Sequence, residues 1–360
     1  MEDVLSWNLP ACDTIRISKR SSFEPGAQGL ALSCLASLNP RVTCAVLCCE
    51  FEEPQTEAAF EETLFASGFG TALSRLVPRI EFQGVTCSDA FKVLLASIYK
   101  AKEGIFGTGN SMSVVCPDHV FSLPPALTRL GNRSEDYPPP SAFQQLLARL
   151  VHQMGFQRLL GSTEESSIVS FIYESLRNSL EHGISADPVR RRRSTRALII
   201  EKIVLQGDIS QRHLSPELKA YLERIVDYRR VDLGMGVICL TVADQGDGIQ
   251  TTLPPKGDET SVQRLARAFE PGESRKPAGI VSRGLGLTSV VASAHRLQAL
   301  VRITSGPLQV GQDFSLADDK YPRLDFDSVL KLSDESPRGT SVSIFFPELG
   351  FDLDQKPLFD

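Results

Sequence analysis

The sequence has no pair of cysteines at C-x-x-C spacing. Its eight cysteines, Cys12, Cys34, Cys44, Cys48, Cys49, Cys87, Cys116 and Cys239, lie mostly inside apolar runs. Zinc is therefore not expected, and the thiols read as buried and reduced, as in a cytoplasmic protein. No apolar run approaches the ~20 residues that cross a bilayer. The first residues, MEDVLSWNLPACD, offer neither a basic n-region nor an apolar h-region, so neither a membrane span nor a signal peptide is expected. A basic surplus is missing as well. The formal charge of -6 argues against general nucleic-acid binding. Arg190–Arg193, followed by Arg196, is the exception; it reads as a solvated turn, with a phosphate or an acidic partner as the alternative.

What is present is the make-up of a globular chain: 360 residues, 42% hydrophobic and 23% charged, enough for two domains. Residues 14–18 read as a short strand, 27–38 as a helix and Val42–Cys49 as a strand-length apolar run. Ala58–Leu76 and Ala90–Lys102 have helical spacing. This alternation predicts a small α/β domain over residues 1–125. The glycines of Gly104-Ile105-Phe106-Gly107-Thr108-Gly109 lack a Gly-Lys-Ser/Thr ending and read as an ordinary turn. Residues 126–140 form the expected linker, polar and closed by Pro138, Pro139 and Pro140. A second domain is expected over 141–347, with a tail at 348–360. It begins with a helix near 141–160, and another is expected over Ser215–Arg230, where Ser215 reads as a cap and Pro216 as a first-turn residue.

Four patterns in that second part carry chemistry. Ser166–Gly183 is a helix on which Glu174, Asn178 and His182 recur every four residues and share a face. An Asn carbonyl oxygen suits Mg²⁺, and a glutamate one turn away can deprotonate an attacking nucleophile; a plain solvated helix face is the alternative. Val237–Ile249 is a buried-strand pattern ending in Asp244-Gln245-Gly246-Asp247-Gly248. Its carboxylate suits an exocyclic amine such as that of adenine, although Asp-x-Gly-x-Gly turns also serve hairpins and calcium loops. Ser282-Arg283-Gly284-Leu285-Gly286-Leu287 opens into a helix over 288–297, which presents N–H groups to an anion, or is simply a helix entry. Gly339-Thr340 leads into an alternating strand, where the Thr340 hydroxyl could meet a ligand near Asp244 or merely begin the strand.

Taken together and in this order, these patterns resemble one family. Glu174-x-x-x-Asn178-x-x-x-His182-Gly183 is similar to its N box, and Asp244-x-Gly246-x-Gly248-Ile249 to its first glycine box. Phe269-Glu270-Pro271 with Arg283-Gly284-Leu285-Gly286-Leu287 resembles the segment ending in its second glycine box, and Gly339-Thr340 the last one. The family is the GHKL, or Bergerat-fold, ATPases: DNA gyrase, heat-shock chaperone ATPases, sensor histidine kinases and MutL. The N box is closest in form to anti-sigma-factor serine kinases; the later boxes look more like histidine kinases.

The resemblance implies an α/β (α+β) fold. A two-layer sandwich of the histidine-kinase-like ATPase type is expected over 141–347, its mixed, mainly antiparallel sheet covered on one face by helices. It implies ATP and Mg²⁺ as ligands. Glu174 would be the general base and Asn178 the Mg²⁺ ligand, with His182 beside it. Asp244, Gly246, Gly248 and Ile249 would hold the base and ribose. Arg283, Gly284, Leu285, Gly286 and Leu287 would cap the phosphates, Thr340 would support Asp244, and about Gln250–Arg283 would form a mobile lid. The implied function is ATP hydrolysis or phosphorylation of a protein partner in signalling or regulation, with an ATP-gated switch as the alternative. A homodimer is one arrangement left open, and the DNA-clamping transducer domain of gyrase-like enzymes is expected to be missing.

Overall fold

A computed structural model describes residues 14–18, 24–38, 46–50, 79–82, 85–86, 96–97, 99–117, 123–128, 137–155, 162–186, 188, 194–205, 214–229, 236–270, 286–315, 322–332 and 339–348. The expected helix at 58–76, most of the one at 90–102, Arg190–Arg193 and the tail at 349–360 lie outside them. The chain begins with β1 (Thr14–Ser18), α1 (Ala27–Leu38), β2 (Val46–Glu50), β3 (Arg79–Phe82) and β4 (Val85–Thr86). These strands form a four-stranded sheet in the order β1-β2-β3-β4, parallel except for the last pair. Helix α1 is the crossover between the parallel strands β1 and β2, as parallel pairing requires.

The hairpin β5 (Ile105–Thr108) and β6 (Ser111–Pro117) follows, then α2 (Pro125–Thr128), α3 (Pro140–Gln153) and α4 (Ser162–His182). Pro140 stands in the first turn of α3, the one helical place that tolerates it. Next come β7 (Thr195–Val204), α5 (Pro216–Arg229), β8 (Gly236–Asp244), α6 (Ile249–Thr252), α7 (Ser261–Ala268) and α8 (Gly286–Arg296). The last strands are β9 (Leu300–Ser305), β10 (Leu308–Asp313), β11 (Leu330–Lys331) and β12 (Thr340–Pro347). Eight strands make one sheet in the order β11-β10-β9-β12-β8-β7-β6-β5, and every pairing in it is antiparallel.

Three expectations change here. The sheet is wholly antiparallel rather than mixed, and it crosses the expected 126–140 boundary, because β6 pairs with β7 from Ser111↔Glu201 to Pro117↔Thr195. Helices also cover both faces instead of one. On the first face, Phe143 and Leu147 of α3, Ile168, Ile172 and Leu176 of α4 and Val290 of α8 pack on Leu198, Leu240, Val242, Ile344 and Phe346. Side chains alternate along a strand, so the neighbours of these residues face the other way. There α5 packs Leu218, Tyr221, Leu222 and Ile225 on Val237, Cys239, Leu300 and Phe345, and α1 lies on β8, β12 and β7. Gly29 of α1 comes so close that a Cβ there would lie 2.2 Å from Thr241 Cγ2 and 2.6 Å from Ser341 Oγ.

Ser215 does not cap α5 with its side chain. The hydroxyl donates to Glu24 at 2.8 Å and accepts from Arg302, a buried cation stacked 5.5 Å over the Phe345 ring. No helix among the described residues is long and apolar enough to cross a membrane.

Candidate nucleotide site

Helix α4 sets the frame of the site. Its apolar stripe is buried in the core, Glu164 and Glu165 stand in its first turn and His182 in its last, the charge order that complements the helix dipole. Glu174, Asn178 and His182 share the other stripe and are partly exposed. Just past the helix, Gly183 meets the end of β8: a Cβ there would lie 2.7 Å from Asp244 Cγ and 2.8 Å from Oδ2. Only glycine permits this approach without displacing one or the other.

Asp244 is 5% exposed. Its Oδ1 accepts from Gly246 N–H at 2.9 Å and from Thr340 N–H at 3.2 Å, so two backbone amides orient the carboxylate. Thr340 pairs with Asp244 in the β12–β8 ladder and supports it through its amide. Gly339, at φ +96, brings its own backbone against the Asp244 carbonyl, where a Cβ would lie 2.2 Å from that oxygen. Gly246 sits against Gly183 so closely that a Cβ would lie 2.5 Å from its carbonyl carbon. Asp247 fastens the turn to the end of α4, accepting from Ser185 Oγ at 3.1 Å and Ala186 N–H at 2.8 Å. Gly248 precedes α6, and Ile249 N–H donates to Ser305 Oγ at 2.7 Å while its side chain packs against the core.

The other end of the stripe meets α8. A Cβ at Gly286 would lie 3.0 Å from both Asn178 side-chain atoms Nδ2 and Oδ1, and 3.2 Å from Glu174 Oε2. The N-terminal, electropositive end of α8 therefore abuts the carboxylate and the amide. Asn178 Nδ2 is buried with no hydrogen-bond partner among the described residues. Leu287 packs against the main core. Burial raises the Glu174 pKa above the ordinary carboxylate value; Arg177 opposes the shift and Glu181 adds to it. His182 faces Glu181, with Nε2 3.8 Å from Oε2.

Arg283, Gly284 and Leu285 lie outside the described residues, as do Arg275 and Lys276. The first part of the expected lid is a packed scaffold. Thr260 and Gln263 form a reciprocal capping box at the start of α7. Arg267 Nε donates to Glu259 at 2.8 Å and its NH2 to the Pro254 carbonyl at 2.7 Å, and Leu265, Ala268 and Phe269 enter the core.

Sequence reasoning missed three supports of the Asp244 turn, Gln245, Ser33 and Asp247, and read the buried Arg196 as part of a solvated turn. Arg196, fully buried, stands one step beyond the Ala197↔Ala243 pair and donates to the Ser179 carbonyl at 3.5 Å, near the α4 C-terminus. Gln245 accepts from Thr195 N–H at 2.9 Å and donates to the Leu32 carbonyl at 3.0 Å. Ser33 reaches the back of the same turn, and Asp247 holds its front. Gln245 and Asp247 sat inside the recognised motif as unassigned letters; nothing local marked Ser33. No family model, curated protein or solved structure matches the chain.

Proposed function

We propose that this chain is a Mg²⁺-dependent ATP-binding protein of the histidine-kinase-like ATPase type, which hydrolyses ATP or phosphorylates a protein partner. One observation carries the reading: a single helix, α4, abuts the Asp244 turn at Gly183 and the α8 N-terminus at Glu174 and Asn178. Nine residues of helix span about 13 Å, the scale of an extended nucleoside triphosphate. A base-binding end and a phosphate-binding end are thereby held on one rigid element.

In this reading the Asp244 carboxylate accepts the adenine amine, Gly246 and Gly248 leave room for base and ribose, and Ile249 offers an apolar contact. The α8 N-terminus with Gly286 and Leu287, joined by Arg283, Gly284 and Leu285, receives the phosphates, and His182 closes the stripe on the base side. Glu174, its basicity increased by burial, takes the proton from the attacking hydroxyl or water. A bond then forms from that oxygen to the γ-phosphorus as the β–γ bridging bond breaks, and ADP leaves with the electron pair. The buried, unpartnered Asn178 Nδ2 is a donor that suits a phosphate oxygen still to be bound; the side-chain oxygen beside it is a hard ligand that would hold Mg²⁺, which would neutralise phosphate charge.

A second reading, an ATP-gated switch with little turnover, is favoured by α1, which joins the N-terminal sheet to the strand ends behind Asp244. Purified protein incubated with γ-labelled ATP and Mg²⁺ tests both. Phosphate release or protein labelling that falls at least 100-fold in Glu174→Ala, as loss of a general base predicts (roughly 10²–10⁴), supports catalysis. Binding without turnover selects the switch, and no binding refutes both.

A further inference from the structure

The turn that carries Asp244 is held from behind by a helix of the N-terminal part of the chain. Ser33 of α1 is 1% exposed. Its hydroxyl has one proton to donate and three carbonyls within reach: Thr340 at 3.0 Å, Gly29 at 3.1 Å and Asp244 at 3.3 Å. One is the local helical option; the other two belong to the paired strand ends whose amide and carboxylate meet at Asp244 Oδ1. Beside it the Leu32 carbonyl accepts from Gln245, the residue between Asp244 and Gly246. The opposite end of α1 is fixed too, with Gly26 N–H donating to Glu201 Oε2 at 2.7 Å and Gln28 Nε2 to Glu201 Oε1 at 3.0 Å. Gly29 lets the helix lie directly on Thr241 and Ser341.

We infer that Ser33 is a positioning residue for base recognition: its hydroxyl bridges the Asp244 and Thr340 carbonyls and so ties the geometry of the nucleotide site to the N-terminal parallel sheet through α1. The inference rests on the nucleotide reading above. Residues 141–347 alone lack this support, because α1 is the crossover of the β1–β2 pair. Among the described residues the Ser33 hydroxyl bonds to the Gly29, Asp244 and Thr340 carbonyls alone, so its effect falls on the base.

The test uses the full chain and the Ser33→Ala variant, with Ser33→Cys, similar in volume but a weaker donor, as a second variant should the first not fold. Amide hydrogen exchange is followed without nucleotide over peptides covering 244–249 and 339–342, with 174–182 as the internal control. ATP and inorganic tripolyphosphate are titrated in parallel. The expected result is faster exchange in the two turn peptides alone, ATP binding weakened roughly three- to tenfold, the worth of one buried hydrogen bond, and unchanged tripolyphosphate binding. Unchanged exchange at 244–249 and 339–342 overturns the positioning role, and equal loss of ATP and tripolyphosphate shows a general loss of structure and overturns it as well. Wild-type protein that binds no ATP refutes the nucleotide reading instead, while the exchange comparison still decides whether Ser33 holds the turn.

Discussion

On β8 and β12, Leu240, Val242, Val342, Ile344 and Phe346 face α4 and α8, whereas Thr241, Ala243, Ser341 and Ser343 face α1. The first interface is a broad apolar core, stabilised in proportion to the area it removes from water and indifferent to small shifts. The second is made of small and polar side chains. Thr241 Oγ1 and Ser343 Oγ lie 2.8 Å apart, Glu201 receives two donors, and the helix rests on Gly29. Directional bonds of this kind fix where a helix sits more than how tightly it is held. One face keeps the region folded; the other sets the position of the Asp244 turn.

Substitutions on each face should therefore differ in kind as well as in size. The largest effect is expected from Phe346→Ala, which empties a 1% exposed position in the main core and should cost about 3–5 kcal/mol, read as a lowered denaturant midpoint. A loss under about 1 kcal/mol would mean that the first face is not the main source of stability.

Glu201 sharpens the contrast. Burial pushes its pKa up to about 7 although Gly26 and Gln28 pull it down. The folded protein thus holds this proton more tightly than the unfolded chain, so the contribution of Glu201 to stability is fully present below about 4.5 and is lost as pH rises through about 7. Glu201→Gln should remove that slope. Relative to the variant, wild type should lose roughly 3 kcal/mol between the unfolded value of 4.5 and neutrality. Parallel stability curves from pH 4.5 to 8 would show that the carboxylate is not buried against α1.

Gly29→Ala is the smallest of the three. The new Cβ must displace Thr241 Cγ2 and Ser341 Oγ, both buried, a cost that the helix preference of alanine offsets only in part. A net loss of about 1–2 kcal/mol is expected, accompanied by faster amide exchange across 26–33. Unchanged exchange there would mean that α1 does not lie directly on the sheet.

Much of the second part of the chain was legible locally. The four-residue spacing of Glu174, Asn178 and His182 placed them on one helical stripe, and the Asp244 and Gly339-Thr340 turns fell at strand ends because glycine punctuation marks such places. Of the Arg283–Leu287 pattern, Gly286 and Leu287 are among the described residues. What failed was long-range. AQGLALSCLASL reads as a helix, but Gly29 and Ser33 within it acquire meaning only against Thr241, Ser341 and the Asp244 carbonyl, some two to three hundred residues away. The short β5–β6 hairpin, broken by Gly107 and Gly109, carries too weak an alternation to reveal that it extends the sheet. The one-sided sandwich came from resemblance, whereas the Thr and Ser on alternate positions of β8 and β12 lie under α1.

Calorimetric titration of ATP into wild type and Asn178→Ala, each with and without Mg²⁺, tests the central claim most directly. The account predicts that Mg²⁺ strengthens ATP binding in wild type and has no effect in the variant. Equal, Mg²⁺-dependent affinity in both proteins would contradict it.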